Sequence, residues 1–391
     1  MKTLLKNIQI IDGINEEISD YSHILIENNV ISNITQDNIS YLDDYVEIID
    51  CKDKYVMPGL IDCHVHLVWD GSGDPQSVIN NLESDNIALR AYKHALDYLK
   101  LGITTVRDVG APYRTALHVR DIIEKNMLQE PTIIASGAPI CMTGGHVHYL
   151  SYESDGADEV RKNSRKVLKE GADLVKVMAT GGIYTFGEDP GSPQLTIDEL
   201  KAAKEEAIKK NKKVSAHAYG LEGIMNCLEV EIDTIEHGIY ADDEALKRMK
   251  KQGTYLVPTM AVMKNLSSHP DVPGWAQEKA KKVIEPHRDM LKRAIDLGIN
   301  IATGTDGGSP VTPPEAYFDE LLIMEEIGMR PIDVIKASTS MAANCLDIKD
   351  RGVLAEGFKA DLLILNKNPL EHLNILRKNC KRIMKDGVFI H

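Results

Sequence analysis

The sequence predicts an α/β protein: a parallel (β/α)8 TIM-like barrel with a small β domain assembled from both chain ends. Three observations carry this. Eight short apolar runs alternate with charged amphipathic stretches through the middle of the chain, as in a parallel sheet whose strands are joined by helices. The residues able to do chemistry fall at the C-terminal ends of those runs. The two chain ends share a strand-rich texture that the middle lacks.

Taken in order, the N-terminal segments LLKNIQIID, SHILIENNVISNI and YVEIIDCKDKYVMP are rich in Ile and Val and are punctuated by Asp-Gly, Asn-Asn and Pro-Gly, which reads as short strands and turns. RGVLAEGFKADLLILNKNP and RIMKDGVFI read the same way near the C-terminus. Residues 1–57 and 353–391 are therefore expected to form one small domain, with the barrel, 58–352, inserted between them. The barrel runs are LIDCHVHL (60–67), ITTVRDVG (103–110), TIIASGAPI (132–140), DLVKVMAT (173–180), KVSAHAYG (213–220), TIEHGIY (234–240), TYLVPTM (254–260) and NIATGTDGG (300–308). A doubly wound open sheet also alternates, but no GxGxxG or P-loop follows the first run. In a barrel the C-terminal strand ends converge on one face. In an open sheet the first and eighth strands lie too far apart to share a site.

The 391 residues carry 45 Lys and Arg against 59 Asp and Glu, a formal net charge of −14. That excludes the basic surface expected of a partner for nucleic acid or anionic membrane. Six cysteines, at 51, 63, 141, 227, 345 and 380, form no CxxC pair and read as reduced thiols of a cytoplasmic protein. Strand alternation sends Cys63 to the face opposite His64. Lys6 and Asp12 interrupt the N-terminus too early for a signal-peptide core. No segment approaches the ~20 apolar residues that span a bilayer.

The chemistry begins with His64-Val65-His66. Residues two apart on a strand face the same way, so two imidazoles about 7 Å apart along the chain can grip one ion. Alone the pair is weak, but His217 and His237 recur at other strand ends, and an unpaired polar ring in apolar surroundings would be costly. Lys176 sits in the apolar run LVKVMA. A buried ammonium must find a carboxylate, lose its proton and serve as a Schiff-base nucleophile, or react with carbon dioxide to give a carbamate able to bridge two cations. Asp306, in TGTDGG, reads either as a turn aspartate or as a carboxylate that binds a metal and takes a proton from its water.

VMPGLIDCHVHL, VKVMATGG, SAHAYG, IEHG, GTDGG and GVLAEGFKADLLILNKNPL together resemble the amidohydrolase superfamily, in the right order and over nearly the whole chain. Within it the sequence is most similar to the group of imidazolonepropionases, Xaa-Pro dipeptidases (prolidases) and Xaa-Arg carboxypeptidases. The resemblance implies that the small domain is a β-sandwich. It implies that His64, His66 and Asp306 hold a buried divalent ion, that His217 and His237 hold a second, and that Lys176, N6-carboxylated, bridges both. It implies that a hydroxide between the ions attacks an amide carbonyl while Asp306 carries its proton to the leaving nitrogen. Such ligands suit zinc, with manganese, cobalt or iron as substitutes. One-metal relatives lack the bridging lysine, so Lys176 points to the two-metal dipeptidase side.

By the same resemblance, His146 in CMTGGHVHY polarises the scissile carbonyl and Tyr240 in IEHGIYADD contacts the substrate α-carboxylate. His148 matches no such role and reads as structural. The Gly- and Pro-rich loop 179–196 is long enough to be a lid, with Tyr184 and Phe186 placed to wall the pocket. GTDGGSPVTPPEAYFDEL departs from the His-Gly-Asn stretch of related enzymes, which leaves the leaving-group preference open across 307–315. His94, His118, His269, His287 and His372 show no pattern. The expected substrate is a small molecule, a dipeptide or N-acyl amino acid, and the expected assembly is a homo-oligomer. A cyclic amide, imidazolone-like ring or lactone is the alternative substrate, and a Schiff-base lyase using Lys176 the remote one.

Overall fold

The computed structural model describes residues 2–37, 46–124, 130–377 and 381–390. Cys380 lies outside them, and the five described cysteines are buried and unbridged.

Seven strands of the central barrel are Leu60–Val65, Ile103–Asp108, Thr132–Ala135, Leu174–Met178, Lys213–Ala218, Thr234–His237 and Tyr255–Val257. Most neighbouring pairs are parallel ladders in the register their order predicts, such as Lys176 opposite Ser215 and Ala218 opposite His237. Three junctions close the ring without a full ladder. The Asp173 N–H donates to the Ala135 carbonyl, joining the third strand to the fourth. The eighth member, the segment 300–307, bridges Leu256 through Ile301 on one side and Val65 through Gly307 on the other. Strand-to-helix alternation continues round the barrel, from Ser84–Lys100 after the first strand to Ala316–Ile327 after the eighth.

Local chemistry accounts for the helix ends. Thr196 and Glu199 form a reciprocal capping box at the start of Ile197–Ile208, satisfying donors the helix cannot use itself. Asp242 caps Asp243–Gln252, which stops at Gly253 in the left-handed region (φ 75°). Among the described residues no helix is long and apolar enough to cross a membrane.

Strands from both chain ends join in one further sheet. Tyr55–Pro58 pairs antiparallel with Leu362–Leu365 and parallel with the end of Lys2–Ile10. A register shift between Leu5 and Ile8, with Asn7 at φ 58°, bends Lys2–Ile10 so that its first half pairs with Ser22–Glu27 and Val46–Asp50 instead. The two halves fold over a small separate core that includes Leu5, Ile24, Ile31, Val56, Leu362 and Met384, giving the β-sandwich.

Barrel closure depends on close backbone approach at the eighth strand. A Cβ at Gly304 would stand 2.4 Å from Val257 Cγ1 and 2.9 Å from His64 Cβ, so even alanine overfills the seam between the seventh and first strands. Gly304→Ala is expected to cost about 1–3 kcal/mol, read as a lower urea midpoint at unchanged slope.

Candidate metal centre

His64, His66, His146, Lys176, His217, His237 and Asp306 line one cavity at the C-terminal mouth of the barrel. His64, His66 and Asp306 each offer a ligand atom, all within 4.8 Å of one another. The Asp306 carboxylate lies 3.6 Å from His64 Nε2 and 3.4 Å from His66 Nε2. The His217 and His237 rings are 4.7 Å apart, and His237 is 5.1 Å from His64, so the four imidazoles form one continuous group.

Three of the ligand candidates are oriented from behind. His64 Nδ1 meets Glu236 at 2.8 Å, His66 Nδ1 meets the Gly110 carbonyl at 3.2 Å, and His237 Nδ1 meets Thr259 Oγ1 at 2.6 Å. With Nδ1 engaged in all three, Nε2 is left for the cavity, the arrangement that fixes a histidine tautomer for a metal. Burial pushes His64 down to about 4, and His217 and His237 well below the usual imidazole range, so these rings stand as neutral donors. Burial opposes ionisation of Asp306, but its contacts with the His64 and His66 rings outweigh it and hold the carboxyl well below its usual range.

Among the residues that line the cavity, Lys176 Nζ, His217 Nε2 and Trp69 Nε1 are buried with no hydrogen-bond partner among the described residues. Such atoms cost on the order of 1–3 kcal/mol each when unmet. His217 Nε2, with the other imidazoles and the Asp306 carboxylate, fits divalent cations. Burial brings the Lys176 ammonium down to about 8.

Backbone geometry explains how consecutive residues reach the same interior. Strict strand alternation would send Glu236 and His237 to opposite faces. His237 instead takes φ 71°, and its ring turns in beside Glu236's partner His64. His287, from the helix Gly274–Leu297, holds this strained turn by donating Nε2–H to the His237 carbonyl at 3.0 Å. Asp306, at φ 60°, is fixed by its N–H donating to the His64 carbonyl and by Ser309 Oγ at 2.6 Å.

The loop 179–196 covers His146. His146 Nδ1 lies 3.0 Å from Thr185 Oγ1 and 3.7 Å from Glu188. Burial works against ionisation of Glu188, but the nearby His146 ring and hydrogen bonds from Gly182 and Gln194 hold its pKa below the usual value. Gly182 allows the loop to lie this close, since a Cβ there would meet the His146 ring at 2.2 Å.

Tyr240 is 37% exposed and is not among the residues that line this cavity. After His237 the chain turns through Gly238 (φ 66°), and the Tyr240 N–H donates to the Tyr219 carbonyl. Tyr219 stands in the cavity instead, its ring 4.4 Å from His217 and 4.8 Å from His237. The signal was in the sequence, because Tyr219 is two residues past His217, the same spacing as His64 and His66. Glu236, Thr259, Glu188 and His287 carried no such pattern. Cys63 turns away from the site, its Sγ 3.9 Å from the Ala342 carbonyl. His148 lines a neighbouring cavity rather than this one.

The family model of the amidohydrolase family matches residues 55–390. An ochratoxinase from Aspergillus niger is 31% identical over 358 residues, 83% of this chain and 72% of that protein. The crystal structure of a Xaa-Pro dipeptidase with methionine bound in the active site superposes over 100% of both chains, with a TM-score of 0.92 and 33% identity. A prolidase complexed with N-methylphosphonate-L-proline covers 100% of this chain and 99% of its own, with a TM-score of 0.91 and 26% identity.

Glu236 also pairs with Arg107 at 2.7 Å, both fully buried. Glu236→Gln is therefore expected to act twice. Zinc affinity falls about 10- to 100-fold as His64 loses its anchor, and stability falls by about 3–5 kcal/mol as Arg107 loses its counter-charge. Zinc titration and urea unfolding measure the two separately.

Proposed function

The chain belongs to the amidohydrolase family, and on that premise we propose that it is a two-metal hydrolase cleaving the amide bond of a dipeptide, Xaa-Pro or similar, or of an N-acyl amino acid. The observation that carries this is the pair of unpartnered buried atoms, Lys176 Nζ and His217 Nε2, set among neutral imidazoles and an ionised Asp306. Similarity to a Xaa-Pro dipeptidase, a prolidase and an ochratoxinase supports an amide as the bond cleaved.

His64, His66 and Asp306 would hold one ion and His217 and His237 the other, with Lys176 between them. Divalent ions bound there supply Lewis acidity and a more acidic water. With its pKa brought to about 8 by burial, Lys176 holds a fraction of free amine near neutral pH. That amine adds to carbon dioxide, forming an N–C bond and releasing one proton, and the product is an anionic carbamate suited to lie between two cations.

The remaining steps fall to the chain's own residues. Asp306, kept ionised beside His64 and His66, accepts the proton of the attacking water on the oxygen not engaged by Ser309. It returns that proton to the amide nitrogen as the C–N bond breaks. His146 presents Nε2 to the substrate carbonyl while Thr185 holds Nδ1, with Glu188 beside it. Tyr219 takes the contact with the substrate carboxylate. The expected setting is cytoplasmic, as a homo-oligomer.

Chelation is expected to abolish release of free amino acid from a panel of Xaa-Pro dipeptides and N-acyl amino acids, and zinc or manganese to restore it. Labelled bicarbonate should give a carbamate signal that Lys176→Ala lacks. Failure to bind metal after reconstitution rejects the reading, turnover of ring substrates alone moves it to a cyclic amide, and borohydride trapping of Lys176 with a carbonyl compound moves it to Schiff-base chemistry.

Tyr219→Phe is expected to raise KM about tenfold, the loss of one hydrogen bond to a charged group. Tyr240→Phe should leave KM within about twofold of wild type, as expected for a substitution away from the cavity. Steady-state kinetics on one dipeptide compares the two.

A further inference from the structure

The cavity holding the histidines is small, about 50 Å³. At roughly 10–15 Å³ of such space per water, it takes a handful of waters and not a whole dipeptide. A second cavity of about 280 Å³ adjoins it and shares Pro75, Tyr149 and Tyr184 as walls. Whatever binds at the histidines and exceeds a few heavy atoms extends into this outer space.

The outer cavity is aromatic in a chain that is poor in aromatics. Only 5% of residues are Phe, Trp or Tyr, with two tryptophans in all. Trp69 lines the inner cavity and Trp275 the outer. Rings lead outward from the histidines. Trp69 is 4.2 Å from His66 and 6.4 Å from Tyr149, which borders both cavities. Beyond it Tyr184 is 5.7 Å and Phe186 5.6 Å from Trp275. Phe186 is 79% exposed, an apolar ring held in water on a Gly- and Pro-rich loop. Its edge-on stance to Trp275, at 82°, leaves faces of the kind a further ring packs against.

These walls are preformed. The Tyr184 hydroxyl donates to the Gly73 carbonyl, and Lys279 Nζ donates to the Thr185 carbonyl at 2.9 Å. Three separate segments are thereby tied into one box. His148 Nδ1, buried without a partner among the described residues, borders the same space and offers a hydrogen bond to a polar substituent.

We propose that the outer cavity is a specificity subsite for an aromatic group, so that the substrate is an amide carrying an aryl ring on the part that projects away from the histidines. This rests on the amide-hydrolase reading and narrows its substrate class.

The test compares Phe-Ala, Ala-Phe and Ala-Ala as substrates of the zinc-loaded protein. In the wild type, kcat/KM for the better aromatic isomer should exceed that for Ala-Ala by at least about tenfold, the worth of one well-packed apolar group. Phe186→Ala and Trp275→Ala should each bring that ratio close to one. A ratio near one in the wild type, or one unchanged by both substitutions, overturns the proposal while leaving the amide-hydrolase reading in place. A readout without turnover separates the opposite failure. The emission of Trp275, taken as the difference between wild type and Trp275→Phe, should be quenched saturably by N-acetylphenylalaninamide and not by N-acetylalaninamide. If no amide is hydrolysed but this quench appears, the subsite stands and the hydrolase reading falls. If the quench is absent as well, both fall.

Discussion

Glu236 lies in the barrel interior with no exposed surface, and the contacts that let it stay ionised also tie four strands together. It accepts from His64 on the first strand, Arg107 on the second, Ser215 on the fifth and Thr234 on its own. Burying a carboxylate unaided costs several kcal/mol, so a slip of any of these strands leaves a charge uncompensated. Stability alone does not explain the choice, since packed apolar residues of the same volume hold a core as well or better. What a hydrophobe cannot do is fix the His64 ring. The carboxylate at Nδ1 leaves Nε2 as the nitrogen that faces His66 and Asp306.

The same economy runs through the rest of the site. Three neutral imidazoles (His64, His217 and His237) share with His66, an amine near its titration point and an ionised Asp306 a volume that holds only a few waters. Neutral rings do not repel one another as imidazolium ions would, so they can crowd to centroid separations of about 5 Å. The strain sits in the backbone, at His237, Thr259 and Asp306, all non-glycine residues with positive φ. Positions like these cost of order 1–3 kcal/mol each and persist where surrounding contacts over-determine them. Here those contacts are visible: His287 on the His237 carbonyl, Glu320 on the Ala261 N–H just after Thr259 at 2.6 Å, and Ser309 on the Asp306 carboxylate.

Much of this was legible in the chain because strands have a period of two. His64 with His66, and Lys176 between Val175 and Val177, sort to the interior by alternation alone, and the order of the runs sets the barrel. Tyr219 obeyed the same rule two residues past His217. Tyr240 follows a left-handed residue and a glycine, where alternation no longer counts. Glu236 was hidden for the same reason, because a regular strand would have turned it away from the side that His237 occupies. His287 and Glu320 come from helices far along the chain, and their pairing with loop and strand backbone is a tertiary fact without a local signature. The chain-end sandwich was visible in composition, whereas its division into two halves depends on the bend near Asn7.

The loop 179–196 shows why site and selectivity are hard to separate in this fold. At its base Gly182 lies against the His146 ring, and Thr185 holds His146 Nδ1 with Glu188 beside it. Two residues from Glu188, Phe186 stands out over Trp275. One short segment therefore sets both the orientation of a ring facing the histidines and the wall of the space beyond them. It is anchored at Gly73 through Tyr184 and at Lys279 through Thr185. A ligand that packs against Phe186 and Trp275 presses on the same backbone that positions His146. Binding energy gained at the outer cavity can thus be spent on orientation at the inner one, which is the condition for remote substrate contacts to raise kcat and not only lower KM.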